Sequence, residues 1–276
     1  MHKMKNRKQN YTASRIRTKV LTAALIFIFL IFITVPLISL FTKISIGDMV
    51  TALTSESALA ALSLSAVTAV ISTVVVVIFG TPLAYINARV NYPGRYIVDT
   101  LTDLPIVLPP TVAGLALLTA FGANGMIGQY FSLFGIKIAF TTLAVVIAQI
   151  FVASPFYIRQ ARASFEAVDV EFEYASRTLG AGSASTFFRV TLPLASGSLM
   201  SGIIMTFARA LGEFGATMMF AGNLPGKTQT MPLAIYGQMQ SDMSVSIALS
   251  IVLVIFSFAI ILAVKYIGSL EMRKYA

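Results

Sequence analysis

Six stretches of this 276-residue chain stay apolar for about 20 residues or more, the helical length that crosses about 30 Å of hydrocarbon. They are residues 20–41, 58–79, 97–121, 138–158, 199–221 and 245–267. Hydrocarbon offers no partner to a bare N–H or C=O, so a spanning segment must be a helix or part of a closed barrel. Long runs without period-two alternation select helices. The expected fold is therefore an all-α polytopic membrane protein with six transmembrane helices. Only 11% of the residues are charged and 57% are apolar, whereas a soluble domain carries about 25% charge, which excludes an ordinary soluble enzyme. The chain contains no cysteine, so disulfides, thiolate catalysis and cysteine metal sites are excluded as well. A basic stretch precedes the first run, as in a cleaved leader. That run outlasts the roughly 7–15 residues of a leader's apolar core and no small-x-small site closes it, so it is expected to remain as a span.

Six crossings put both termini on one side. Sixteen of the lysines and arginines fall on that side, three (Lys43, Lys137 and Lys227) on the other, and Arg209 lies inside a run. Cytoplasmic loops carry the excess of Lys and Arg, so both termini are expected in the cytoplasm and the protein in the cell membrane. The net charge of +9 then records topology and is no footprint of nucleic acid. The expected organisation is a basic cytoplasmic tail (1–19) resting on anionic lipid, a membrane domain (20–268) and a short cytoplasmic C-terminus (269–276).

Residues 159–198 form a loop of about 40 residues between the fourth and fifth runs, a length that is usually functional or disordered. Here it carries helix signals. Asp169 is an N-cap candidate, Glu171 and Glu173 follow where the helix dipole favours anions, Arg177 lies near the end, and Gly180 suits the left-handed residue that closes a helix. A helix over 170–179 is predicted, with Phe172, Ala175, Ser176 and Leu179 on one face and Glu173 paired to Arg177 beside it. A second helix is predicted from Ser183, stopping at Pro193. The face suits a protein partner or the inner leaflet; the acids Glu166, Asp169, Glu171 and Glu173 disfavour anionic lipid.

The string Glu173-Tyr174-Ala175-Ser176-Arg177-Thr178-Leu179-Gly180, nine further residues, then Val190-Thr191-Leu192-Pro193 resembles the cytoplasmic EAA loop of ABC-importer permeases. In strict register the motif's Glu falls on Tyr174, and the acid is displaced to Glu173. The resemblance, which covers about residues 58–267, implies the type I importer fold with a coupling helix docked on a separate ATPase through Phe172, Glu173, Ala175, Ser176, Leu179 and Gly180. No nucleotide site is expected in the chain itself. The P-loop-like string from Gly222 to Thr228 has three residues between its glycines instead of four, includes Pro225, and sits on the side without ATP. No catalytic residue, metal site or cofactor is expected.

Arg209 and Glu213 lie four residues apart in the fifth run, and a charge at the bilayer centre costs at least about 2.5–3.5 kcal/mol. Both must face protein or water. They are expected on one helical face beside a small stripe of Ala208, Gly212 and Ala216, with this span at the centre of the assembly. Two readings stay open: a self-neutralising packing pair, or a face lining the transport route. The prolines of Leu104-Pro105-Ile106-Val107-Leu108-Pro109-Pro110-Thr111-Val112-Ala113-Gly114 leave carbonyls without helical partners, again consistent with a plain kink or with pathway lining. Both that string and Ala208-Arg209-Ala210-Leu211-Gly212-Glu213-Phe214-Gly215-Ala216-Thr217, together with the outer loop from Gly222 to Tyr236, resemble molybdate-type permeases, with sulfate-type permeases close behind. The resemblance implies a permease homodimer, two copies of a cytoplasmic ABC ATPase, and an extracytoplasmic oxyanion-binding protein. Arg209, Glu213, Pro109 and Pro110 become the pathway or gate candidates, and molybdate the expected substrate, with tungstate or sulfate as neighbours. The contrasting expectation is a secondary transporter in which Glu213 carries a coupled proton.

Overall fold

A computed structural model describes the backbone of residues 2–273 and most side chains between residues 18 and 266. The expected tail (1–19) and C-terminus (269–276) therefore lie almost wholly outside the described side chains. Among the described residues every regular element is helical: α1 (His2–Thr42), α2 (Ile46–Thr54), α3 (Glu56–Arg89), α4 (Arg95–Val107), α5 (Pro110–Phe121), α6 (Gly128–Leu133), α7 (Thr142–Glu166), α8 (Val170–Thr178), α9 (Ser183–Thr186), a π-turn (Phe187–Thr191), α10 (Leu192–Leu211), α11 (Gly215–Ala221), α12 (Met231–Met239) and α13 (Met243–Arg273).

Five stretches are long and apolar enough to cross a membrane: Thr18–Thr42, α3, α7, Ser183–Leu211 and Met243–Ala263. The expected third span is two helices instead, α4 and α5, bent by 116°. Neither Pro109 nor Pro110 has an N–H to donate, and a proline pushes the residue before it out of the helical region. Leu108 and Pro109 accordingly adopt extended backbone (ψ 132° and 135°). The pair still reaches both ends of α7. Asp99 and Asp103 of α4 pair with Arg162 and Arg159 at one end of α7, while Leu117 and Phe121 of α5 pack with Ala144, Val145 and Phe220 towards the other.

Within the single chain the most enclosed spanning helix is α7, the fourth span. Half of its most apolar window is buried, against 28–33% for α3, Ser183–Leu211 and Met243–Ala263. The reason is its small surface: Ala144, Ala148, Ala153 and Ala161 are fully buried and let α3, α5, α10 and α11 approach on several sides. Its buried Gln149 is satisfied across the α3 contact. Ser72 donates to the Gln149 carbonyl oxygen at 2.9 Å, and the Gln149 amide donates to Thr68 at 3.2 Å. Large apolar side chains such as Phe32 and Phe79 (each 73% exposed) cover the outer faces, the arrangement a hydrocarbon solvent requires.

The predicted second helix of the long loop begins at Ser183 but does not stop at Pro193. The π-turn just before the proline, where the Leu192 N–H reaches the Phe187 carbonyl, opens the backbone at the point where Pro193 would otherwise clash. The helix then continues to Leu211. At this arginine-rich end a set of ion pairs ties α4 to α7: Arg162 reaches both Asp99 (2.7 Å) and Glu166 (2.8 Å), and Arg159 reaches Asp103 at 3.4 Å.

Candidate functional site

Two helices break side by side. The first break, at Leu108 and Pro109, separates α4 from α5; the second, at residues 212–214, separates α10 from α11. They touch through Pro110 and Gly215, where a Cβ added to Gly215 would lie 2.6 Å from the Pro110 Cβ. One turn on, a Cβ on Gly114 would meet the Ala216 carbonyl oxygen and the Met219 Cβ, each at 2.7 Å. Only glycine permits this approach of α5 to α11. Unwound backbone at membrane depth is tolerated where it is buried in protein or lines a wet cavity, and here both breaks share that requirement.

Arg209 and Glu213 stand at the second break, so they do not share the face of one continuous helix as expected. α10 ends at Leu211. Arg209 donates to Glu213 at 2.6 Å, with the arginine side chain 27% exposed and the glutamate 1%. The other Glu213 oxygen accepts from the Ala216 N–H at 2.8 Å, placing the carboxylate on the positive N-terminal end of α11. Glu213 therefore both neutralises Arg209 and starts the next helix. The expected small stripe is broken too: Gly212 is exposed at the turn while Ala216 is buried against α5. Pro109 and Pro110 are exposed on the chain's surface at the same place.

The loop helix α8 forms where the sequence places it. Asp169 accepts from the Glu171 N–H at 3.0 Å. At the other end Gly180 takes φ +89°, its N–H bonds to the Arg177 carbonyl, and the Ala181 N–H bonds to Ser176, a paired closure that only a left-handed residue allows without strain. The exposed side carries Phe172 (55%), Tyr174 (62%) and Leu179 (89%). Ala175 and Gly180 are exposed with them, and Ser176 is half-buried through its bond to Thr186.

Glu173 points the other way and is 4% exposed. Its ion pair is with Arg89 of α3 at 2.9 Å, not with Arg177, and it also accepts from Thr191 at 3.0 Å and Tyr85 at 3.2 Å. Arg89 in turn donates to the Val168 carbonyl at 2.8 Å. Sequence reading missed Arg89, Tyr85 and Thr191. α8 carries two acids off its apolar face, Glu171 and Glu173, and nothing local tells which of them is buried.

The outer loop after α11 is folded rather than a simple turn. Thr228 accepts from the Leu224 N–H and donates to Gly222, Gln229 bonds Asn223, and the Met231 N–H at the start of α12 donates to Ser65 of α3 at 2.7 Å. Thr142 holds Lys227 through its carbonyl.

Comparison with known proteins places this architecture. Residues 80–270 match the family described as binding-protein-dependent transport system inner membrane component. The chain is 42% identical to the probable transport system permease protein NifC of Clostridium pasteurianum over 88% of this chain and 84% of that one. It is 41% identical to the molybdenum transport system permease protein ModB of Mycobacterium tuberculosis over 85% of this chain and 89% of that one. Identity to the sulfate transport system permease protein CysT of Salmonella typhimurium is 35% over 78% of each chain. A chain of a bacterial ABC transporter that imports alginate superposes with a TM-score of 0.71 at 18% identity, covering 92% of this chain and 96% of that one, and so shares the fold. A multi-pass protein of the cytoplasmic membrane, the chain belongs to the binding-protein-dependent transport system inner membrane component family, the permeases of ABC transporters.

Proposed function

We propose that this chain is the membrane-spanning subunit of an ATP-driven importer of molybdate. The observation that carries the reading is 41% identity to a molybdenum transport permease across 85% of the chain. The helix breaks, capped loop helix and packing described above give that identity a physical counterpart. In this reading both termini are cytoplasmic, as the bias of sixteen basic residues against three requires. Two copies form the pathway, and each offers the exposed side of α8, with Phe172, Ala175, Ser176, Leu179 and Gly180, to one of two cytoplasmic ATPase subunits. An extracytoplasmic protein delivers the oxyanion at the outer loop.

The paired breaks supply the gate. Arg209, 27% exposed, and the exposed Pro109 and Pro110 face the second copy across the route, while Glu213 keeps Arg209 compensated. Closure of the ATPases on ATP draws the two docking helices together and opens the route outward; hydrolysis resets it. The molybdate assignment is tested by uptake of labelled molybdate in cells lacking their own molybdate permease and expressing this chain with its neighbouring transport genes. Uptake that excess tungstate suppresses and excess sulfate leaves intact is expected; suppression by equimolar sulfate reassigns the substrate to sulfate.

A further inference from the structure

We infer that the Glu173–Arg89 pair is the strut that fixes the docking helix to the membrane bundle, making Glu173 a positioning residue for coupling and not a contact to the ATPase. The inference rests on α8 being the ATPase-docking helix. Within α8, Glu173 is the one buried residue. Its large apolar residues are exposed, so apolar packing within the chain does little to hold it. Apart from the Ser176–Thr186 hydroxyl contact at 3.1 Å, what holds it is a carboxylate with three donors: Arg89 Nε at 2.9 Å, Thr191 Oγ1 at 3.0 Å and Tyr85 Oη at 3.2 Å.

Those donors come from two different membrane helices. Arg89 and Tyr85 stand on the last turns of α3, and Thr191 ends the π-turn that leads into α10. Arg89 also clamps the turn before α8 through the Val168 carbonyl. Two residues before Arg89, Asn87 donates to Asp99 of α4 at 2.8 Å, and α4 runs to the Pro109 break. An apolar contact slides under load, whereas a charge-assisted set of directional bonds defines one position. A displacement of α8 is thereby imposed on α3 and α10 together, and through Asn87 on the broken span.

The test uses the complete transporter, this chain with its co-purifying ATPase and binding protein in liposomes, and compares Glu173→Gln with wild type. Glutamine keeps the size and one acceptor but removes the charge that Arg89 faces. The expected result is ATPase co-purification within twofold of wild type together with a tenfold or greater loss of both binding-protein-stimulated ATP hydrolysis and molybdate uptake, and an intermediate loss for Arg89→Lys. Should Glu173→Gln fold poorly, Thr191→Val removes one donor without unpairing the charge and is expected to lower stimulation about threefold with ATPase association intact. Unchanged uptake and stimulation in the variants overturns the strut. Loss of ATPase association from a well-folded variant also overturns it, because Glu173 would then be a docking contact. Absence of ATP-dependent uptake by wild type overturns the transport reading itself, a result distinguishable from either.

Discussion

Pro110 and Gly215 meet at the point where two helices are interrupted, with room between them for a hydrogen but not a methyl group: an added Cβ on Gly215 would stand 2.6 Å from the Pro110 Cβ. Each break needs the other. The prolines end α4 and begin α5, and the glycine lets α11 begin against them.

Gly215→Ala and Gly114→Ala are therefore expected to destabilise the detergent-solubilised protein by about 1–3 kcal/mol through overpacking, seen as a lower unfolding temperature. Gly182→Ala is the control. It has ordinary backbone and nothing within 4 Å of the added Cβ, so it should lower the unfolding temperature less than either of those two, by no more than alanine costs at an N-cap.

The double role of Glu213 makes the Arg209–Glu213 pair asymmetric. Exchanging the two residues restores a pair of charges but puts a cation on the N-terminal end of α11, where Glu213 accepts from Ala216. Loss of that cap costs about 1–2 kcal/mol. The exchanged protein is expected to have a lower unfolding temperature and at least tenfold less uptake. Uptake near wild type would make the pair a packing device only.

Asp169→Ala should leave the fold intact while loosening the start of α8. The cap is worth about 1 kcal/mol, so the Glu171 amide, which it holds at 3.0 Å, should exchange with solvent about fivefold faster.

Leu179→Asp and Gly180→Asp each place a carboxylate on the exposed surface of α8, and neither position packs against the chain. Membrane insertion is expected to be normal in both variants while ATPase co-purification falls at least tenfold; the unfolding temperature should stay within error of wild type for Leu179→Asp and fall for Gly180→Asp, whose φ of +89° strains any side chain by about 1–2 kcal/mol. Retained ATPase binding in both variants would move the docking surface elsewhere.

What the sequence discloses and what it hides divide along the range of the interaction. The caps of α8 are local, Asp169 to Glu171 and Gly180 to Arg177, and were legible as residue types at fixed offsets. The partner of Glu173 is 84 positions away, so a window along the chain offers only Arg177, four residues on, and suggests the wrong pair. Proline marks a disturbance in the third span, but whether Pro109 and Pro110 kink a helix or divide it depends on Gly215, which a distant segment brings. The continuation of α10 through Pro193 is hidden likewise, because the π-turn that accommodates it has no sequence signature. The enclosure of α7 arises from alanines that hydropathy alone does not distinguish from lipid-facing residues.

The central claim, that this chain is the permease of an ATP-driven molybdate importer, is tested most directly by labelled molybdate uptake into liposomes holding it with its ATPase, with binding protein outside and ATP inside. Uptake that requires all three components and ATP, and is indifferent to a proton gradient, is the predicted result. Uptake by the chain alone, driven by a proton gradient without ATP, would contradict it.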